Sequence, residues 1–402
     1  MSTSEPFLTQ AVAADANAAA ESAPMLDERP WLRHYAAGTP PTIEIPDLTV
    51  ADLLRETART HPKRRAIAFY GNHISYAQFD RASSAFANRL IEHGLQRGDR
   101  VLIILPNLPQ FMVAHFGILK AGGTVAALSP LLVEREIADL AADAGAKVVV
   151  VLDRMWDKVQ PLVARGLFTC AIVTGVQDGL PTLKRLLYPL AKRKELIAIP
   201  HDPARGIWRY RDFLKGAPTR DPRVAVGPED VAACQFTGGT TGLPKAAVLT
   251  HRNLVANALQ ARAWMPEARE AQETMMAIIP FFHTYGVTLC LHLGVYIAAT
   301  NVLVPRFDVK DVMEQIAAYQ PTLLPGVPTL YNAITGAAEK NPERQASLKS
   351  IRYCISGGAP LPAGVRQRFE ELTGGALVEG FGLSEASPVT HANPLDGRAR
   401  NG

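Results

Sequence analysis

The stretch from Arg100 to Leu152 constrains the fold more than any other. Three apolar runs, Arg100–Leu105, Gly123–Leu128 and Lys147–Leu152, carry Val, Ile, Leu and Ala with almost no polar alternation. A strand of that kind has both faces covered, the condition of a parallel sheet between helices. Helix-period segments Gln110–Lys120 and Arg135–Ala144 separate the runs. Strand–helix alternation of this kind predicts a doubly wound α/β fold. Ahead of it, Ala66–Tyr70 and His73–Tyr76 predict a hairpin around Gly71-Asn72. Asp47 is placed to cap a helix over Leu48–Thr60, and Gln78–His93 is amphipathic.

The rhythm breaks between Gly179 and Pro228, a basic stretch with Pro181, Pro189, Pro200, Pro203, Pro218 and Pro222. Within it, Thr182–Glu195 places Leu183, Leu186, Leu187 and Leu190 on one helical face, among Lys184, Arg185, Lys192, Arg193 and Lys194. The favoured reading is a linker helix packed on the body. The alternative is a basic amphipathic helix in peripheral contact with a membrane. From Asp230 the alternation resumes, with strands expected at Val231–Gln235, Ala246–Leu249, Met275–Ile279, Asn301–Val304, Thr322–Leu324, Ile351–Ser356 and Ala376–Glu379. Leu119–Pro130 and Tyr296–Pro305 look alike, and a helix follows each. The expected organisation is a disordered leader (1–30), a first α/β subdomain (31–225) with its basic linker (180–225), and a related second subdomain (226–402) packed against it.

Composition excludes other classes. In 402 residues, 48% hydrophobic and 20% charged, disorder and fibrous repeats are ruled out. A formal net charge of +4 is too weak to argue for nucleic acid. Cys170, Cys234, Cys290 and Cys354 form no metal-binding spacing and read as buried, reduced thiols of a cytoplasmic protein. Met1–Ala23 has acids and no basic start, so no secretion signal is expected. Thr274–Pro305 lacks Lys, Arg, Asp and Glu, but Pro280, His283, Tyr285 and His292 interrupt it. A buried strand followed by a buried helix, Thr284–Ala298, is expected there rather than a membrane span.

The strongest chemical signal is Thr237-Gly-Gly-Thr-Thr-Gly-Leu-Pro-Lys245, between two expected strands. Gly238, Gly239 and Gly242 let backbone N–H groups close around phosphate oxygens, Thr240 and Thr241 add hydroxyls, and Lys245 adds a cation. This is not the common P-loop, which opens a helix directly after its Lys.

Gln235–Asn253 closely resembles the signature loop of the adenylate-forming (AMP-binding) enzymes, which include acyl-CoA synthetases, luciferases and peptide-synthetase adenylation domains. Other resemblances fall in the family's order: Leu119–Pro130, Pro280-Phe-Phe-His-Thr-Tyr-Gly286, Ser356-Gly-Gly-Ala-Pro-Leu361 and Glu379-Gly-Phe-Gly-Leu-Ser-Glu-Ala-Ser-Pro388. Within the family the sequence is most similar to long-chain fatty acid–CoA ligases, by Trp31-Leu-Arg-His-Tyr, Leu187–Lys194 and Ser387-Pro-Val-Thr-His391. The resemblance implies the fold of the family's large N-terminal domain, and ATP, Mg²⁺ and CoA as cofactor and substrates.

It also implies residue roles. Thr237, Gly238, Gly239, Thr240, Thr241, Gly242 and Lys245 would hold the ATP phosphates, and Thr240 and Glu385 would hold Mg²⁺. Phe381, beside Gly380 and Gly382, would stack on adenine opposite Gly358, Ala359 and Pro360. The family usually has Tyr at Phe381, and Phe keeps the π-face. Ser384 replaces the usual Thr and keeps a hydroxyl for the α-phosphate and the acyl carboxylate. Lys245, Thr240, Glu385 and Ser384 form the catalytic set. His283, Tyr285, Gly286, Val287, Gly326, Val327 and Pro328 would line an acyl pocket. Amino-acid-activating relatives place an Asp near Phe282, and none is present here.

The family continues into a small β-rich subdomain and a mobile C-terminal lid that carries a catalytic Lys. Nothing before Gly402 resembles the lid, and the β-rich part is incomplete. The expectation is a truncated or split ligase, with a separately encoded lid domain as one partner, cytoplasmic placement and small-molecule substrates. Activation of medium-chain or aryl acids, acyl-AMP ligase activity and a non-catalytic acyl or nucleotide binder stay open.

Overall fold

The computed structural model describes residues 29–191, 197–237 and 245–399. The helix Val50–Thr60 begins with a capping box between Thr49 and Asp52. Asp47, expected as its cap, pairs instead with Arg252 at 3.0 Å, because the Thr49 hydroxyl is the group that reaches the first turn's N–H. Strands β1 (Arg65–Phe69) and β2 (Asn72–Ser75) form the expected hairpin, but its turn is Tyr70-Gly71, one residue before the expected Gly71-Asn72, because Asn72 already pairs with Phe69. Tyr70 and Gly71 both have positive φ, 46° and 93°. A two-residue turn needs that backbone at both positions, and glycine adopts it at no steric cost.

Strands β3 (Arg100–Ile104), β4 (Thr124–Ala127), β5 (Val148–Leu152), β6 (Cys170–Thr174) and β7 (Ile207–Arg209) are parallel, and β8 (Val231–Thr237) joins them beside β4. Antiparallel β9 (Lys245–Thr250) completes a sheet of order β7-β6-β5-β3-β4-β8-β9. A second sheet contains β10 (Thr274–Ala277), β11 (Thr300–Leu303), β12 (Tyr353–Ser356), β13 (Ala376–Gly382) and β14 (Val389–Ala392). Its two parts, β10-β11-β1-β2 and β12-β13-β14, are linked through Leu323, which bridges in parallel to Met275 and to Tyr353. The strand expected at Thr322–Leu324 thus exists as this narrow bridge.

The two sheets repeat one unit. In the first, the helix Pro109–Lys120 connects β3 to β4; in the second, the helical stretch from Thr284 to Tyr296 connects β10 to β11. The likeness between Leu119–Pro130 and Tyr296–Pro305 marks the return from helix to strand in each. The sheets also exchange strands. The β1–β2 hairpin lies beside β11, and the β8–β9 hairpin lies beside β4. The boundary expected at 225/226 therefore does not divide the sheets. Partners follow burial between layers, which sequence order does not encode.

Apolar strands and helices fill the interior as their sequences demand. All residues of β5 and β6 are buried, and so is every residue of the helix Pro109–Lys120. Phe116 meets Phe79 edge to face at 5.3 Å, and Phe111 lies 5.3 Å from Phe281 of the second half. The buried Lys120 ammonium donates to Asp80 Oδ1 at 2.6 Å and Ser84 Oγ at 3.0 Å, so this charge serves the architecture. All four cysteines are buried and free. No helix among the described residues is long and apolar enough to cross a membrane.

The basic stretch is more structured than its sequence suggests. It contributes β7 to the sheet edge and the short helix Tyr210–Leu214, whose buried Phe213 packs against Phe86, His93 and Trp208. The helix Thr182–Ala191 departs from the favoured reading in another way: Leu183, Leu186, Leu187 and Leu190 are all exposed. Residues 1–28, 192–196, 238–244 and 400–402 lie outside the described residues.

Three buried histidines are held neutral. His115 and His292 share one hydrogen bond, Nε2 to Nε2 at 2.9 Å, which uses a single proton. His251 Nδ1 accepts from Val50 N at 3.1 Å, joining two helix N-termini. Burial lowers His115 to about 3, His251 to about 4 and His292 well below its ordinary value. As pH falls from about 6.5 to about 4, these rings take up protons in the unfolded chain but not in the folded one. Stability is then lost by up to about 1.4 kcal/mol per pH unit per ring. Denaturant midpoints measured across that window should drop steeply; a flat profile would contradict neutral burial.

Candidate active site

Each sheet has a point where strand order reverses. The chain leaves β3 for β4 on one side and returns to β5 on the other; it leaves β10 for β11 and returns to Leu323. In open α/β sheets, ligands bind outside the carboxyl ends of strands at such points. Here the two points touch. Asn107, just beyond β3, donates from Nδ2 to Ala277 O (3.0 Å) and Ile279 O (2.9 Å), and its Oδ1 accepts from Phe281 N at 2.8 Å. Sequence reasoning missed Asn107, although a lone amide in the apolar run Leu105-Pro-Asn-Leu-Pro109 was a usable signal.

The β8–β9 hairpin reaches the same region. Thr237 and Lys245 face each other at its loop end, with Thr237 Oγ1 donating to Lys245 O at 3.2 Å. The loop they close, with Gly238, Gly239, Thr240, Thr241 and Gly242, lies outside the described residues. Gln235 Nε2 donates to Phe282 O at 2.9 Å and ties β8 to the Pro280–Gly286 segment.

That segment is tightly built. Tyr285 is buried; its hydroxyl donates to Ile355 O at 2.6 Å and accepts from Gly326 N at 3.1 Å. It spans the two parts of the second sheet, and burial raises its pKa well above the ordinary value. A Cβ at Gly286 would stand 2.3 Å from Pro280 O, and one at Gly326 would stand 2.7 Å from the Tyr331 ring. His283 accepts from Tyr285 N at 3.3 Å through Nδ1. The residue is exposed, yet protein packed around its ring lowers its pKa by desolvation. Val287 is buried and opens a π-helical turn, Val287–His292, a deviation frequent at functional sites. Val327 and Pro328 are half-buried at the start of the helix Pro328–Glu339.

Ser356 pairs with Glu379, so Gly358, Ala359 and Pro360 emerge beside Gly380, Phe381 and Gly382. Gly358 has φ +77°, and Gly358, Ala359 and Pro360 are exposed. Phe381 is 65% exposed, an open aromatic face near His391 at 6.2 Å. Ser384 and Glu385 follow in a short 3₁₀ turn, Ser384–Ala386, that packs against β9. The turn is staked from below. Thr288 Oγ1 donates to Ser387 O at 2.9 Å. Asn257 accepts from Val389 N at 3.0 Å and donates to Val389 O at 2.8 Å. The structure therefore gathers Thr237, Lys245, Ser384 and Glu385 with the Phe381 face at the carboxyl ends of the strands.

A cavity of about 970 Å³ lies beside this centre. Trp31, Tyr35, Asn257, Trp264, Leu289 and Ala386 are among its walls. None of the seven expected acyl-pocket residues lines it; Leu289 and Ile355, which do, adjoin them.

Residues 54–402 match the family model described as AMP-binding enzyme. The chain is 38% identical over 381 residues to a long-chain-fatty-acid–CoA ligase of Bacillus subtilis, covering 94% of this chain and 67% of that protein. It is 32% identical over 375 residues to a protein of the same name from Escherichia coli O157:H7, covering 91% and 66%. Among solved structures, a long-chain-fatty-acid-CoA ligase from Archaeoglobus fulgidus superposes with a TM-score of 0.74 at 20% identity, covering 90% of this chain and 69% of that one. The chain belongs to the AMP-binding enzyme family and has the mixed α/β fold of its large domain. It spans about two thirds of the length of the curated relatives it matches.

Replacing Asn107 by the similarly sized Leu removes three buried hydrogen bonds. At about 1 kcal/mol net each, the variant should lose roughly 3 kcal/mol of unfolding free energy. Equilibrium denaturation reads this directly, and a loss near zero would deny Asn107 its joining role.

Proposed function

We propose that this chain supplies the nucleotide- and acyl-binding part of a ligase that activates a long-chain fatty acid with ATP and passes the acyl group to CoA. The observation that carries this reading is the meeting of the β8–β9 hairpin, the exposed Phe381 ring and the Glu385 turn at one set of strand ends. The names of the relatives at 38% and 32% identity support the substrate class. The adjoining cavity, at the upper end of the roughly 300–1,000 Å³ usual for small-molecule sites, has room for an acyl tail.

A carboxylate is a poor electrophile. In the first step its oxygen bonds to the α-phosphorus of ATP and pyrophosphate leaves, giving acyl-AMP. In the second, CoA thiolate attacks the acyl carbon and AMP leaves. Charge grows on phosphate oxygens in the first step, so oriented donors and cations lower its barrier. Lys245 and the N–H groups of the Thr237–Lys245 loop hold the phosphates. Ser384 orients the α-phosphate and the acyl carboxylate. Phe381 stacks on adenine, with Gly380, Gly382 and the exposed backbone of Gly358, Ala359 and Pro360 around it. His283, Tyr285, Gly286 and Val287, with Gly326, Val327 and Pro328, border the carboxyl end of the acyl chain, whose tail continues into the cavity past Leu289.

The exposed Glu385 carboxylate suits Mg²⁺, a hard ion that keeps several waters, and Thr240 would be its second protein ligand. Bound there, the ion would offset phosphate charge.

Thermal shifts with non-hydrolysable acyl-adenylate analogues of increasing chain length test the reading. An analogue at about 100 times its Kd stabilises by about 2.7 kcal/mol. The shift should grow with chain length; a larger shift with aryl or short-chain analogues would reject the long-chain substrate. Lys245→Ala should weaken ATP binding by about 1–3 kcal/mol, the worth of a charge-assisted contact; unchanged affinity by calorimetry would remove its phosphate role. Glu385→Ala should make ATP affinity independent of Mg²⁺ concentration, and retained dependence would move the metal ligand elsewhere.

A further inference from the structure

The chain from Pro30 to Ile43 lies as a strap along the cavity beside the candidate site. It opens with a 3₁₀ turn, Pro30–His34, none of whose side chains is buried. Trp31 is 52% exposed and Tyr35 is half-buried, and both line the cavity. A tryptophan that served only to hold a segment down would bury its ring against the body. This ring borders the cavity, and its apolar area leaves water when a ligand fills that space.

The strap is held in place by the protein itself. Arg398 donates from Nη2 to Tyr35 O at 2.9 Å and from Nε to Asp396 at 2.7 Å. The Tyr35 ring meets Trp264 edge to face at 4.8 Å, and Trp264 Nε1 donates to Asn393 O at 3.1 Å. Ile43, at the other end of the strap, packs on the main core. Tyr35 and Trp264 therefore form a fixed apolar wall, secured by the chain that follows β14, with Trp31 on the same strap. Other walls belong to the site: Ala386 ends the Ser384–Ala386 turn, and Leu289 lies in the π-helical turn that Val287 opens. The cavity thus reaches from the turn that bears Ser384 and Glu385 to the strap. An acyl group joined to AMP at that turn meets Leu289 with its first carbons and the strap only with its later ones.

We propose that Trp31 and Tyr35 are specificity-determining residues that contact the far part of the acyl chain, so that chains long enough to reach the strap bind more tightly than chains that stop short of it. The proposal rests on the ligase reading and deepens it, since neither residue belongs to the motifs that mark the site.

The test is calorimetry of the whole chain with non-hydrolysable hexanoyl- and hexadecanoyl-adenylate analogues, for Trp31→Ala, Tyr35→Ala and the conservative Tyr35→Phe. Burying one methylene is worth about fourfold in affinity, so a wall that covers two of them carries more than about tenfold. Trp31→Ala and Tyr35→Ala should each weaken the hexadecanoyl analogue about tenfold and the hexanoyl analogue less than about twofold, a split that a general loss of structure would not produce. Tyr35→Phe keeps the ring and should bind both analogues as the parent chain does. Trp31 sits on an exposed turn, so Trp31→Ala should keep the parent's melting temperature and decides the matter even if Tyr35→Ala loosens the strap. Equal losses for the two analogues, or no loss for either, overturn the proposal and leave the ligase reading standing. A parent chain that binds neither analogue, or binds both equally, overturns the long-chain reading and the proposal with it.

Discussion

One buried side chain couples the two sheets where each reverses its strand order. The Asn107 amide donates to Ala277 at the end of β10 and to Ile279 just past it, and accepts from Phe281, where the chain has left the strand. Unpaired backbone groups buried there would be costly, so the amide takes the place of a strand. Because Asn107 belongs to the first sheet and Ala277–Phe281 to the second, the same bonds set the strand ends of both sheets against each other. The position of the Pro280–Gly286 segment, of Tyr285 and of the β8 end that Gln235 holds follows from this junction.

The proposed chemistry falls at those ends because the faces are closed. Strands buried on both sides expose functional groups only where the chain leaves the sheet. The groups found there are held by polar side chains acting on backbone: Tyr285 between Gly326 and Ile355, Thr288 on Ser387, and Asn257 on Val389. These bonds leave the Ser384–Ala386 turn and the Phe381 ring facing outward. Neutral histidines serve the same economy of donors and acceptors, since a second proton between His115 and His292 would turn one ring into a buried cation and oppose two N–H donors 2.9 Å apart.

Two amphipathic helices show how far periodicity alone can be taken. Tyr76–Glu92 buries Phe79, Phe86 and Leu90 under the helix Pro109–Lys120, as its pattern predicts. Thr182–Ala191 has an equally clear leucine stripe and exposes it. A hydrophobic period defines which side chains share a face. It does not state what lies opposite, and in the second case Arg185 and Tyr188 occupy the side toward the body.

Much of the molecule is legible in its residues. Unbroken Val/Ile/Leu runs separated by helix-period segments point to covered parallel strands, because helices on both faces of a sheet bury such runs completely. The loop Thr237–Lys245 and the Glu379–Pro388 motif mark the proposed site, because the phosphate recognition proposed there would draw on glycine backbone, hydroxyls and a cation close together in the chain. The tertiary structure alone decided that β1–β2 would cross to the second sheet, that β7 would edge the first, and that Asn107, Thr288 and Asn257 would hold the site in place. Those residues act on backbone groups far away in sequence, at separations such as the 174 between Asn107 and Phe281. A hydrogen bond of that range is invisible to local pattern and exists only once packing has brought its partners together.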